Sequence, residues 1–158
     1  MPTRVLFVCL GNICRSPAAE AAFQHAATEA GLASEFEVDS AGTGAWHVGE
    51  PADRRMREAG QRRGIKVTSL ARQVSDQDFT TFDHILAMDL TNLRALQRQA
   101  PVEHRRKIRL FRDLDPDAPG EDVPDPYYGD VAGFDEVLDI VTRTARALLE
   151  ELRPRSPA

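Results

Sequence analysis

The run Val5-Leu-Phe-Val-Cys9-Leu10 is apolar at every position, with no polar residue alternating along it. A strand on a half-exposed sheet alternates; one that is apolar throughout is covered on both faces, as a central strand of a parallel sheet is. The next residues narrow the choice further. Gly11 to Cys14 is a short loop, and Arg15 with Ser16-Pro17 opens a helix, proline being tolerated in the first turn and Glu20 favouring the positive end of the dipole. Ala18 to Ala30 is alanine-rich, and Gly31 stops it.

The alternation continues to the end of the chain. Phe36 to Ser40 reads as a second strand, Ala41 to Gly44 as a loop, and Pro51 to Arg63 as a helix stopped by Gly64. Asp83 to Met88 is a third strand, Asp89 to Gln99 a helix ended near Pro101, and Lys107 to Phe111 a fourth strand. Phe134 to Leu152 is an amphipathic helix with Val137, Leu138, Val141, Ala145, Leu148 and Leu149 on its apolar stripe. Strands alternating with helices imply right-handed crossovers and a parallel sheet with helices on both faces. The expectation is one α/β domain of three layers over 1–152, with a loose tail at 153–158.

Between Arg112 and Gly133 the chain is acidic and rich in proline and glycine, a connection long enough to be either functional or disordered. Arg54, Arg55, Arg57, Arg62 and Arg63 crowd the second helix; a solvated face is the better reading than a docking patch for an acidic partner. At 158 residues, 42% hydrophobic and 28% charged, the chain fits one soluble globular domain. Its net charge of −5 argues against a nucleic-acid partner. The N-terminal apolar run is too short for a bilayer and lacks the features of a secretory signal, so no membrane partner is expected and the cytoplasm is the expected location. Two cysteines are too few for a disulfide scaffold and stay available as thiols in a reducing compartment.

In an open α/β sheet, ligands bind beyond the carboxyl ends of the strands, and Cys9 lies at such an end. A backbone that curls from Leu10 to Arg15 around a tetrahedral anion points its N–H groups inward and adds the helix N-terminus to them. Gly11 and Asn12 tolerate backbone conformations that other residues resist. Arg15 carries a planar fork that holds two phosphate oxygens at once. The same dipoles favour the thiolate of Cys9, and the Ser16 hydroxyl is placed to donate to the sulfur. The loop therefore reads as a phosphate cradle with a built-in nucleophile. A buried, inert cysteine is the ordinary alternative, and it is the combination with Gly-Asn, Arg15 and Ser-Pro that argues against it. Neither cysteine belongs to a C-x-x-C pair, which argues against zinc, and no G-K-[ST] is present for a nucleoside triphosphate.

Expelling an alkoxide or phenoxide needs a proton donor. Asp125, in Val123-Pro-Asp-Pro-Tyr-Tyr-Gly129, is stiffened by two prolines that favour an extended backbone and a projecting side chain. It reads equally as a plain turn whose tyrosines, Tyr127 and Tyr128, plug the core edge. Trp46 and His47 are candidates for an opposite wall, although packing is the commoner fate of a lone Trp.

Cys9-Leu-Gly-Asn-Ile-Cys-Arg-Ser16 together with Asp125-Pro-Tyr-Tyr128 resembles the low-molecular-weight protein tyrosine phosphatases, and Ser40-Ala-Gly-Thr43, Trp46 and Ala87-Met-Asp89 are similar to the same family. The likeness runs from about Arg4 to Leu152. It implies a four-stranded parallel sheet and hydrolysis of phosphotyrosine without metal or other cofactor. It implies Cys9 as nucleophile, Arg15 as clamp, and Asp125 as acid and then as base for water. Leu10, Gly11, Asn12, Ile13, Cys14 and Ser16 would bind phosphate or support the loop, and Trp46, His47, Tyr127 and Tyr128 would line the slot. Partners would be tyrosine-phosphorylated proteins, with inorganic phosphate as product and the protein acting as a monomer with at most weak self-association. Cys14 would form a reversible, protective disulfide with the nucleophile under oxidants. Relatives often carry histidines where this chain has Arg63 and Ser69, one of which can brace the loop asparagine; here either Ser69 substitutes or Asn12 is held in another way. The rival readings are an arsenate reductase, which needs further relay cysteines that the chain lacks, and a non-catalytic phosphoprotein-binding regulator, which has no need of Asp125.

Overall fold

Strand β1 (Thr3–Cys9) divides the core in two, as the period of two along a strand requires. Val5, Phe7 and Cys9 enter one apolar cluster, while Leu6 and Val8 enter another on the opposite face. The computed structural model describes residues 1–154 and shows β1 paired with β2 (Phe36–Gly42) on one side and β3 (His84–Ala87) on the other, with β4 (Ile108–Leu110) at the edge. Every pairing is parallel, in the order β2-β1-β3-β4. The chain winds outward from β1 in both directions, so the switch in strand order falls at the end of β1, beside Cys9.

One face is covered by α1 (Arg15–Glu29), α2 (Arg54–Gln61) and α5 (Val131–Leu152), through Ala18, Ala22, Phe23, Met56, Val137, Val141 and Leu148 among others. The other is covered by α3 (Asp78–Thr81) and α4 (Leu90–Gln99), through Phe79 and Leu96. Alanine dominates α1 because the helix lies close between sheet and α5, and Phe7, Phe23, Phe36 and Phe111 fill the gaps in edge-on or tilted contacts.

Several element bounds differ from those expected, for local reasons. β2 continues through Ala41 and Gly42 because Gly42 stays in register with Cys9, so the expected loop starts later. α2 starts at Arg54 rather than Pro51, since Asp53 caps it by accepting the Arg55 N–H at 2.8 Å. Gly31, with φ of 74°, follows the C-cap of α1 as its position predicts, whereas α2 ends at Gln61, two residues before the expected Arg63, and Gly64 with φ of 73° closes the turn beyond it. α5 starts at Val131, three residues before Phe134, because Gly133 falls in the first turn rather than ending the loop. The fourth strand is only Ile108–Leu110, and its expected ends belong to 3-10 helices at Val102–Lys107 and Phe111–Leu114. The short helix α3 has no periodic signal in the sequence. Of the expected tail, residues 155–158 lie outside the described residues.

The crowded arginines at α2 are mostly exposed, as a solvated face predicts, and several also form ion pairs within the protein. Arg63 reaches Asp139 at 2.5 Å and Arg62 reaches Asp135 at 3.3 Å, tying α2 to α5, while Arg54 pairs with Glu58 along its own helix. The acidic stretch after β4 is anchored by a buried carboxylate. Asp115, 1% exposed, accepts from Arg112 Nε at 2.9 Å, from Arg143 Nε at 2.7 Å and from the Asp117 N–H at 3.0 Å. Arg143 first, with Asp117 and Arg112, outweighs burial and holds that carboxyl well below the usual range.

Asp115→Ala removes the shared acceptor of two guanidinium groups and is expected to lower stability at pH 7 by about 3 kcal/mol, read from the urea midpoint. Because the folded-state pKa is depressed, the contribution is present above the ordinary carboxylate value and is lost as the pH falls from there through the lower folded-state value. A midpoint unchanged at pH 7 would contradict this.

Candidate active site

Asn12 is the one non-glycine residue with a left-handed backbone among the described residues, at φ 57°. That conformation folds the loop back so that the Asn12 N–H donates to Cys9 Sγ at 3.2 Å. The side chain of Asn12, 1% exposed, holds it there with three hydrogen bonds. Its Nδ2 donates to Ser16 Oγ and to Ser40 Oγ, both at 2.9 Å, and its Oδ1 accepts the Arg72 N–H at 3.0 Å. Of the two alternatives the second holds: Asn12 is braced by Ser40 and the Arg72 backbone rather than by Ser69.

The neighbouring strand continues the support. Thr43 N–H donates to the Cys9 carbonyl and Gly44 N–H to that of Leu10, both at 2.9 Å. A Cβ on Gly42 would stand 2.8 Å from the Leu10 carbonyl oxygen, so the strap can lie this close only with glycine there. Among the described residues, the N–H groups of Gly11, Ile13 and Cys14 have no protein acceptor, and no side chain caps the start of α1. Unpaired N–H groups at a helix N-terminus are what a phosphate cradle consists of.

Ser16 Oγ lies 3.0 Å from Cys9 Sγ. It already accepts from Asn12, so its own proton is free for the sulfur, the alternative acceptor being the Ala41 carbonyl at 3.5 Å. Cys9 Sγ therefore lies within hydrogen-bond reach of two donors, the Asn12 N–H and the Ser16 hydroxyl. Cys14 behaves differently: burial, with Asp53, Cys9 and Asp125 adding to it, pushes its thiol up, and it stays protonated.

Arg15, 4% exposed, donates through Nη1 to Asp89 Oδ2 at 2.7 Å and to the Val123 carbonyl at 3.1 Å. Burial opposes its charge, but Cys9, Asp89 and Asp125 together raise its pKa above the ordinary value. Its Nη2 stands 3.7 Å from Asp125 Oδ2. Asp125 Oδ1 accepts the Tyr127 N–H at 3.1 Å, so Pro-Asp-Pro is both a turn and a projecting acid.

These groups share one cleft of about 440 Å³. Of the residues expected at the site, Asn12 and Ser16 lie buried behind its floor; all the others line it. Trp46 is 72% exposed and Tyr128 95%, which removes core packing as the explanation of either. His47 rests against Gly11, and its ring centroid is 6.3 Å from that of Tyr127. No group of three metal-ligating side chains occurs among the described residues.

The fold and this constellation match a known group over almost the whole chain: residues 4–157 fit the family model described as low molecular weight phosphotyrosine protein phosphatase. The chain belongs to that family. It is 47% identical over 156 residues to the low molecular weight protein-tyrosine-phosphatase of Streptomyces coelicolor, covering 97% of this chain and 95% of that one. To the human low molecular weight phosphotyrosine protein phosphatase it is 43% identical over 149 residues, covering 93% and 94%. The crystal structure of a protein tyrosine phosphatase from Entamoeba histolytica, with Hepes in its active site, superposes with a TM-score of 0.93 at 43% identity, covering 95% of this chain and 96% of that one.

Within this phosphatase fold, some residues of the site have roles that the sequence alone does not assign. Asp89 orients Arg15 with one oxygen and caps α4 by accepting the Asn92 N–H with the other, at 2.7 Å. Its position at the carboxyl end of a central parallel strand is the signal that marks it. Ser40 belongs to the Ser40–Thr43 stretch already noted but with no signal for this role, and Arg72 carries none. Glu20, expected to favour the helix dipole, lies beyond the first turn of α1 and is engaged by Ser40 instead. Ser40 Oγ donates to Glu20 Oε1 at 2.6 Å, which extends the Asn12 network into the protein. Burial, with Asp39 adding, raises the Glu20 carboxyl to about 7 against the pull of Ser40, Arg72 and Ser69.

A carboxyl raised in the folded state costs stability as it ionises, so its contribution declines as pH rises from the ordinary carboxylate range through about 7. Glu20→Gln keeps an acceptor for Ser40 and cannot ionise. Its stability relative to wild type is expected to rise between pH 5 and pH 8 in denaturant melts; a pH-independent difference would contradict the buried-acid account.

Proposed function

We propose that the protein is a protein-tyrosine-phosphatase that hydrolyses phosphotyrosine, and small aryl phosphates, through a phosphocysteine intermediate. One observation carries the reading: the thiol and the carboxylate lie in the same cleft, with the buried Arg15 fork between loop and acid and only 3.7 Å from the carboxylate. A phosphoryl group seated on the unpaired loop N–H groups and Arg15 has sulfur on one side and Asp125 on the other.

In this mechanism the Cys9 sulfur forms the S–P bond as the P–O bond to the tyrosyl oxygen breaks, and that oxygen takes the Asp125 proton. Asp125, now a carboxylate, removes a proton from water as the water oxygen attacks phosphorus. The S–P bond breaks, thiolate is restored and inorganic phosphate leaves. Arg15 and the loop N–H groups stabilise the charge on the equatorial oxygens, with Asp89 fixing the fork. Trp46, His47, Tyr127 and Tyr128 form the aromatic sides of a slot for a flat aryl group. The substrates in this reading are tyrosine-phosphorylated proteins, met by a monomer in the cytoplasm, where a nucleophilic thiol stays reduced. No helix among the described residues is long and apolar enough to cross a membrane.

Cys9→Ser is expected to abolish turnover of an aryl phosphate while inorganic phosphate still binds, by calorimetry; turnover near wild type would refute the nucleophile. In kcat/KM, which reports the step that expels the leaving group, Asp125→Asn is expected to lose roughly a hundredfold to ten-thousandfold on a poor leaving group such as phenyl phosphate and much less on 4-nitrophenyl phosphate. Equal losses on both would remove Asp125 from the acid's role.

Peroxide would convert Cys9 to its sulfenic acid, and condensation with the Cys14 thiol would release water and form a disulfide. Brief peroxide treatment followed by thiol should restore more activity in wild type than in Cys14→Ser; equal recovery would remove the protective role.

A further inference from the structure

The acid loop has few attachments of its own. On the near side, Val123 N–H donates to the Met88 carbonyl at 2.8 Å and Val123's carbonyl accepts from Arg15. On the far side, Tyr128 is 95% exposed and Gly129 N–H bonds only back to Pro126 within the loop. Pro126 is buried and Tyr127 packs against the core. Among the described residues, however, the hydrogen bonds that cross from the rest of the protein to the carbonyls of Tyr127 and Gly129 come from Arg55, in the first turn of α2.

Arg55 is seated before it reaches the loop. Its Nε and Nη2 grip the two oxygens of Asp53 at 3.1 and 2.9 Å, a fork-to-carboxylate pair that fixes the guanidinium plane. Asp53 is itself attached to the phosphate loop, because its N–H donates to the Ile13 carbonyl at 2.7 Å. From this seat, Nη2 donates to the Tyr127 carbonyl at 3.0 Å and Nη1 approaches the Gly129 carbonyl at 3.5 Å. The guanidinium carbon lies 4.4 Å from the Phe134 ring centroid and 5.7 Å from that of Tyr127, so the plane is held on aromatic faces as well.

Tyr127 is then fixed at both ends of its backbone. Arg55 takes its carbonyl, and Asp125 Oδ1 takes its N–H. With Oδ1 committed to Tyr127, Oδ2 is the oxygen turned toward Arg15. The orientation of the acid thus depends on where Tyr127 is held, and that depends on Arg55.

We propose that Arg55 is a positioning residue for Asp125: the unit Ile13–Asp53–Arg55–Tyr127 ties the acid loop to the phosphate loop and sets the acid's distance from the leaving oxygen. This rests on Asp125 being the acid. Lysine cannot replace Arg55 in full, since an ammonium lacks the planar fork that grips Asp53 while reaching two carbonyls.

The test measures kcat and KM for Arg55→Met, Arg55→Lys, Asp125→Asn and the double variant Arg55→Met/Asp125→Asn, on phenyl phosphate and 4-nitrophenyl phosphate. Arg55→Met is expected to lose at least tenfold more kcat on phenyl phosphate than on 4-nitrophenyl phosphate, with KM for the latter within about threefold of wild type. Arg55→Lys, which keeps the charge and the helix, should fall between. In the double variant, the Arg55 change should cost no more than a further threefold on phenyl phosphate, because the group it positions is gone. An equal loss on both substrates, or losses that multiply in the double variant, would overturn the proposal. If Asp125→Asn itself shows no leaving-group dependence, the failure lies in the acid assignment rather than in Arg55.

Discussion

The side chain of Asn12 holds the loop in a shape the backbone would not keep alone. A left-handed non-glycine residue costs of order 1–3 kcal/mol and persists where its surroundings over-determine it. Here the surroundings are Ser16 from α1, Ser40 from β2 and the Arg72 backbone from the connection after α2. The consequences run outward from it. Its N–H reaches the Cys9 sulfur, its claim on Ser16 directs that hydroxyl's proton to the same sulfur, and the turn it makes leaves the N–H groups of Gly11, Ile13 and Cys14 unpaired. Arg72 is in turn held through its guanidinium by Asp39 and Asp78, at 3.0 Å each, so the brace is anchored in the sheet and in α3.

The two halves of the site differ in how they are built. The thiol half is a buried lattice of short-range partners between β1, α1 and β2, which suits a nucleophile that must not move. The acid half is a half-exposed loop held at a few points: Met88 and Arg15 at Val123, and Arg55 at Tyr127. In the proposed mechanism this carboxyl later serves as base, and such access lets water reach it. Asp89 stands between the halves, two residues past β3, capping α4 and orienting Arg15 with a single carboxylate.

The layer architecture and the thiol half were legible in the sequence because their signals are contiguous. Val5 to Leu10 announces a doubly covered strand, and Gly11 to Pro17 carries loop, clamp and helix start within a few residues. The prolines and paired tyrosines around Asp125 left a plain turn and a projecting side chain equally open, and it was the family resemblance that favoured the second. What escaped were interactions between residues far apart whose local context is ordinary. Ser40 and Arg72 meet Asn12 across 28 and 60 positions, and neither sits in a motif that announces a partner. Arg55, Arg62 and Arg63 look alike as a charged helix face, yet one seats against the acid loop and the others tie α2 to α5. The helix α3 is too short for a period to show, and the bounds of α2 and α5 depend on Asp53 as a cap and on where Gly133 falls in the first turn.

Trapping the covalent intermediate tests the role of the braced loop most directly. With Asp125→Asn and 4-nitrophenyl phosphate, the first step needs little help from the acid, whereas breakdown lacks its base. Acid quench during turnover, followed by peptide mass spectrometry, should find a phosphoryl group on Cys9. A phosphoryl group on another residue, or none on Cys9 while turnover continues, would contradict the central claim that the braced loop presents Cys9 as the nucleophile.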